Sequence, residues 1–237
     1  MLRKLFLLCL TACIVGEVMA EPYDAYERTI PELQAAMQSG ATTSEQLVQQ
    51  YLARIAAFDG AGPELNAMLY LNPRALDEAR ALDREREERG PRGPLHGIPI
   101  VLKDNFETHD MPTTAGSVAM QGFIPANDGY HARKLREAGA VIIGKTNLHE
   151  FARGIETISS LGGATRNPYD PRRNPGGSSG GTAAAELADA AADAAAADDA
   201  AGAGAGAGGG GAAAVCGAGA GVGAGGGRSS LRTSSLR

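Results

Sequence analysis

The sequence predicts an α/β fold, and three observations carry that expectation. Short apolar runs at Ile98 to Leu102 and Val141 to Ile143 are continuous rather than alternating, the pattern of strands buried on both faces of a parallel or mixed sheet. Between them lies a helical stretch, His131 to Ala138, closed by Gly139. Ahead of them come segments whose apolar residues recur at helical spacing.

Taken from the start, Arg3 and Lys4 precede an apolar run from Leu5 to Gly16, and Val18-Met19-Ala20 supplies a cleavage pattern. Residues 1–20 therefore read as an export signal, with Glu21 as the mature N-terminus and a periplasmic or extracellular destination. The run is shorter than the roughly 20 residues that a membrane-spanning helix needs. A rival reading takes Leu10-Thr11-Ala12-Cys13 as a lipoprotein processing box, so that a lipidated Cys13 would tether the chain to a membrane.

Residues 21–90 form a helical region. Thr29 to Met37 has an early Pro and stops before Gly40. Thr43 and Gln46 make a capping box, after which Leu47, Tyr51, Leu52 and Ile55 share one face. Leu65 to Leu71 reads as a strand left at Asn72-Pro73. Arg74 to Arg89 reads as a helix with Ala75, Leu76, Ala79 and Leu82 turned inward. Gly90 to Gly97 is a Gly/Pro loop leading into the strand pair, and residues 91–187 form the core region.

Composition changes after that. Ala183 to Ala201 has the Ala content of a helix, yet Leu187 is its single large apolar residue, and Gly202 to Gly227 alternates Ala and Gly with little to bury. Such a chain cannot offset the backbone entropy of ordering, about 1–2 kcal/mol per residue, so residues 188–237 read as a low-complexity tail. The formal net charge of -5 and the lack of a Lys/Arg run argue against a nucleic-acid binder, and a small-molecule or neutral substrate fits better. Cys9 and Cys13 lie in the signal and Cys216 in the tail, so no internal disulfide is expected in a secreted form. The four histidines and three cysteines form no ligand-spaced cluster, and neither metal nor cofactor is expected.

Two features carry chemistry. Pro175-Gly176-Gly177-Ser178-Ser179-Gly180-Gly181 precedes an Ala-rich potential helix, a setting in which backbone N–H groups can hold an oxyanion or the turn can present a hydroxyl. A Gly/Ser linker is the plain alternative. A phosphate loop is a weaker one, because no Lys-Ser or Lys-Thr follows the last glycine. Lys103 ends the apolar run at Ile98 to Leu102. Desolvation there would favour its neutral, proton-accepting form, whereas pairing with Asp104 would keep it charged; a surface charge at a strand end is the third reading.

The order of motifs resembles the amidase signature family. Gly93-Pro94-Leu95-His96-Gly97-Ile98-Pro99 leads to Val101-Leu102-Lys103-Asp104-Asn105, then Thr113-Thr114-Ala115-Gly116-Ser117. Leu135 to Leu148 and Glu150-Phe151-Ala152 follow, and Thr165-Arg166-Asn167-Pro168-Tyr169-Asp170 comes before the Gly-Gly-Ser-Ser-Gly-Gly turn. The resemblance implies an amidase-signature α/β fold, a mixed central sheet covered by helices, with the C-terminal part missing from this chain. It implies hydrolysis of a small-molecule amide by a Ser-Ser-Lys triad, with Lys103 as the base and Ser178 as the bridging serine on a cis peptide; Ser179 supports the turn. His96 belongs to the family loop, and His109, His131 and His149 are expected to be surface or packing residues.

The resemblance also implies a nucleophilic serine some two dozen residues beyond Ser178. That position is Gly202, and the next serines, Ser229 and Ser230, follow a glycine run. The expectation is a chain truncated or frameshifted after about Glu186 and inactive as written. Glutamine amide hydrolysis of the kind carried out by an amidotransferase A-type component and a non-catalytic pseudoenzyme are the alternatives.

Overall fold

The computed structural model describes residues 23–188. The proposed signal, Cys13, Glu21, Gly202, Cys216, Ser229 and Ser230 lie outside them, as does the predicted helix past Ala188.

Helix α1 (Ile30–Ser39) opens with a capping box between Thr29 and Glu32, and α2 (Ser44–Phe58) with one between Thr43 and Gln46. Gly40 closes α1 at φ 74°, a left-handed cap that glycine adopts without steric cost. Strand β1 (Met68–Leu71) is shorter than the predicted Leu65 to Leu71. Glu64 and Asn66 have φ of 50° and 54°, and the N–H groups of Ala67 and Met68 turn to the Asp59 carboxylate rather than to a neighbouring strand. Helix α3 (Ala75–Arg89) buries Ala75, Ala79 and Leu82 as its spacing predicts.

Strand β2 (Pro99–Lys103), helix α4 (Tyr130–Glu137) and strand β3 (Val141–Thr146) form the strand–helix–strand unit. The sheet order is β1-β3-β2, with β3 antiparallel to β1 and parallel to β2, so the sheet is mixed. Its two faces bury different residues. Ile100, Leu102 and Ile142 join Leu33, Met37 and Leu47 in one cluster; Val101, Val141 and Ile143 join Val48, Ala75, Ala79 and Leu82 in another. Burial on both sides is why these strands read as unbroken apolar runs.

One irregularity in β3 matters for the site. Ile100 pairs with Ile142, but Val101 pairs with Gly144, so Ile143 is an extra residue in β3. Beyond this bulge the facing of β3 is reversed: Lys145 lies opposite Leu102, and Thr146 opposite Lys103.

A two-stranded hairpin, β4 (Ile158–Ser159) with β5 (Gly163–Ala164), and helix α5 (Gly180–Glu186) complete the described fold. Helix α5 begins three residues ahead of the Ala183 start expected from composition. The reason is close approach: a side chain on Gly181 would run into the backbone of Asn147 and Ala67, so glycines let the first turn seat directly on the strand ends.

Candidate active site

Lys103 is the last residue of β2, and the Gly-Gly-Ser-Ser turn delivers Ser178 to it from 75 residues away along the chain. Lys103 Nζ lies 2.7 Å from Ser178 Oγ and 2.9 Å from Ser179 Oγ, and the Gly177–Ser178 peptide is cis. The two residues selected from sequence are therefore brought together. Ser179 does more than support the turn, since its hydroxyl also takes a hydrogen bond from the lysine. A hydroxyl both accepts and donates, so Ser178 can take a hydrogen bond from Lys103 while its own proton points onward. A base and a relay at this spacing can withdraw a proton from a third group beside Ser178.

The turn is held from several sides. Thr157, wholly buried at φ 54°, donates its hydroxyl to Gly176 O at 2.6 Å and accepts from Gly180 N at 2.9 Å, so one side chain clamps both ends of the turn. His149 N donates to Ser178 O at 3.0 Å, and Asn174 Oδ1 accepts from Gly176 N at 3.0 Å. Thr182 and Thr146 share a buried hydroxyl contact of 2.7 Å that fixes α5 to β3 on the Lys103 side.

Behind Lys103 the electrostatics differ from the sequence expectation. Lys103 is half-buried at the rim, not enclosed, because the strand ends there. The buried lysine is Lys145. Its side chain is fully enclosed, its Nζ stands 3.1 Å from Asp104 Oδ1, and it donates to Thr113 Oγ1 at 2.9 Å and Pro112 O at 3.0 Å. Burial lowers its proton affinity below the usual lysine value, against the opposing pull of Asp104. Asp104 thus pairs with Lys145, and its Oδ2 accepts from Thr114 N at 2.9 Å and from the Thr114 hydroxyl. Asp104 Oδ1 is buried, and its contact with Lys145 at 3.1 Å is an ion pair.

A family model described as Amidase matches residues 46–205. The chain belongs to the amidase family. The peptide amidase of Stenotrophomonas maltophilia is similar in structure and sequence, with a TM-score of 0.67 and 51% identity over 70% of this chain and 35% of that one. An amidase family protein of Bacillus anthracis gives a TM-score of 0.66 and 37% identity over 70% and 34%. Among curated relatives, the A component of the glutamyl-tRNA(Gln) amidotransferase of Acidothermus cellulolyticus is 46% identical over 166 residues, 70% of this chain and 32% of its own length. Its counterpart in Thermobifida fusca is 48% identical over 158 residues, 66% and 31%. The chain spans about a third of the length of the curated relatives it matches.

In this chain the histidines sit as follows. His96 is enclosed, its Nε2 2.9 Å from Leu82 O, and packs against Gly139. His131 stacks edge-on to Phe106 and Tyr130, and His149 Nδ1 accepts from Glu156 N. His109 pairs with Asp128 at 2.8 Å. With Asp110, these two make a group within 4.8 Å that sequence spacing did not show. Arg136 reaches both carboxylates, at 2.6 Å from Asp110 and 3.2 Å from Asp128, and Arg74 reaches Asp110 at 3.3 Å. Two guanidinium groups on those carboxylates satisfy them electrostatically and disfavour a cation there. An apolar cavity of about 70 Å³ lined by Tyr51, Ile55, Phe58, Leu65, Val101 and Ala185 includes neither Lys103 nor Ser178, so it has no part in the site.

Sequence reasoning missed Lys145 and Thr157. Lys145 lies inside the Leu135 to Leu148 block already noted, and a lysine two residues past the Val141 to Ile143 apolar run was the signal available. For Thr157 nothing in the local sequence marks it.

Proposed function

We propose that this chain carries the base and relay of a Ser-Ser-Lys amidase, which hydrolyses the C–N bond of a small-molecule carboxamide. The 2.7 Å contact between Lys103 Nζ and Ser178 Oγ carries this reading. In the complete reaction, Lys103 would accept a proton through Ser178 from a serine nucleophile, which attacks the carbonyl carbon. The proton would pass to the leaving nitrogen, freeing ammonia or an amine, and water would then release the acid from the acyl-enzyme. The substrate reading rests on the amidase family and on the peptide amidase and amidotransferase relatives. The identity to the amidotransferase relatives favours glutamine as a second candidate amide.

The sequence as written has glycine where the nucleophile is expected, so the purified chain is predicted not to turn over amides. Release of chromophore from a chromogenic anilide is the measurement. Turnover that is lost in both Lys103→Ala and Ser178→Ala would show that a nucleophile is present after all. The accompanying proposal is a change of reading frame near codon 186. It expects another frame of the coding DNA to encode a Gly-rich, serine-bearing block, and its absence from all three frames would end the idea.

The chain is also proposed to be exported, on the charge and apolar pattern of residues 1–20. Mass spectrometry of the processed protein should find Glu21 at the N-terminus. A lipidated Cys13 would instead support the tethered form.

A further inference from the structure

The bulge at Ile143 sets two charges on opposite sides of one strand end. Lys103 faces the side of Val101, Thr146 and α5, while Lys145 faces the side of Leu102. Asp104 follows Lys103 directly, and successive residues of an extended chain project to opposite faces. Its backbone N donates to Thr146 O at 3.1 Å, continuing the ladder past the strand, and its O accepts from Ala115 N at 3.0 Å. Its carboxylate is fully buried against Lys145 and Thr114.

We infer that Lys145 is a positioning residue for the lysine–serine relay: it neutralises the Asp104 carboxylate behind Lys103, so that this buried anion does not hold the relay lysine in its charged form. The inference rests on the relay reading of Lys103 and Ser178. A buried carboxylate left without its cation acts over several ångströms in a low-dielectric interior and draws positive charge to the nearest basic group. Lys103, adjacent to Asp104 in the chain, lies within reach of that field, and an ammonium cannot accept a proton from Ser178. The other groups in this field are Tyr70 of β1, whose phenol pKa is pushed up by burial first and by Asp104 next, and Asp110, which acts on Lys145. On the Lys103 side stand the hydroxyls of Ser178 and Ser179, with His149 joined to the turn through its backbone.

A network that merely supports structure and one that balances charge give different signs. The chain contains four lysines, Lys4, Lys103, Lys134 and Lys145, so the Lys103 titration can be followed by NMR in protein labelled at lysine Cε. Lys145→Met removes the cation and is expected to raise the Lys103 midpoint. Asp104→Asn removes the anion and is expected to lower it, each by roughly half a pH unit or more. The double variant should return close to the parent. Shifts of the same sign, or none, would overturn the inference. Should Lys145→Met alone fail to fold, Asp104→Asn is compared with the double variant, where equal midpoints would overturn it. Ser178→Ala separates the two ideas: a Lys103 midpoint indifferent to loss of Ser178 counts against the relay reading, whatever Asp104 and Lys145 do.

Discussion

Single side chains here act mainly by satisfying backbone groups that loops leave open. Asp170 shows this in the segment that feeds the Ser178 turn. Its carboxylate accepts from Arg172 N at 3.2 Å and meets Arg172 Nε at 2.8 Å and Arg173 Nε at 3.1 Å, while its backbone O accepts from Arg173 N. The hydrogen bond from Arg172 is the main reason its carboxyl titrates at about 2, below the ordinary 3.8. The sign follows from linkage. A carboxyl depressed in the folded chain contributes stability that is fully present above 3.8 and is lost as pH falls through about 2. Between those values only the unfolded chain takes up the proton. Carboxyl NMR of Asp170 should show no titration until pH is well below 3.8; a midpoint at the ordinary value would show that the arginines do not hold it.

Among the elements, the Ser-Ser turn depends on a partner that no local pattern announces. Thr157→Val keeps the shape of the side chain and removes both hydrogen bonds to the turn. Two backbone groups, buried Gly180 N and part-buried Gly176 O, then lose their partner, and a cost of about 2 kcal/mol is expected from unsatisfied groups of this kind. Denaturant unfolding of the parent and the variant measures it, with the midpoint falling and the slope unchanged. A variant as stable as the parent would mean that water or another group satisfies Gly176 O and Gly180 N. The glycines on either side work with Thr157. A side chain at Gly180 would occupy the place of the Thr157 hydroxyl, so the clamp and the glycine require each other.

Across the whole described region, the mixed sheet holds the site because both of its faces are packed. Leu47, fully buried on α2, belongs to the cluster that contains Ile100 and Leu102 of β2. Leu47→Ala is expected to destabilise the chain by about 2–5 kcal/mol, the range for a large-to-small change that leaves a cavity. The fall in the denaturant midpoint checks this, and a loss under about 1 kcal/mol would mean that the core collapses around the gap. The same packing explains how the Lys103–Ser178 contact is held at a strand end: β2 is fixed by residues on both faces up to Leu102, and Lys103 alone emerges at the rim.

Much of this architecture was legible from residue order. Unbroken apolar runs marked β2 and β3, an early Pro and the Gly40 stop marked α1, the Thr43 cap marked α2, and the ordered motif blocks led to Lys103 and Ser178. These features are decided within a few residues by backbone geometry, capping and burial, which is why a linear reading finds them. Other features were decided only when distant segments met. Leu65 to Ala67 left the strand because Asp59 captured the N–H groups of Ala67 and Met68, and Asp104 found Lys145 rather than Lys103. The second outcome turns on one extra residue in β3. Without the bulge at Ile143, Lys145 would share the face of Lys103; with it, the lysine lies beneath Asp104 on the other side. A period of two is reversed by a single inserted residue, and the insertion exists only as a register against a second strand. The sequence by itself determined which elements form and which residues are proposed to carry the chemistry, and the tertiary structure alone decided which charges face one another, because register is a property of paired strands.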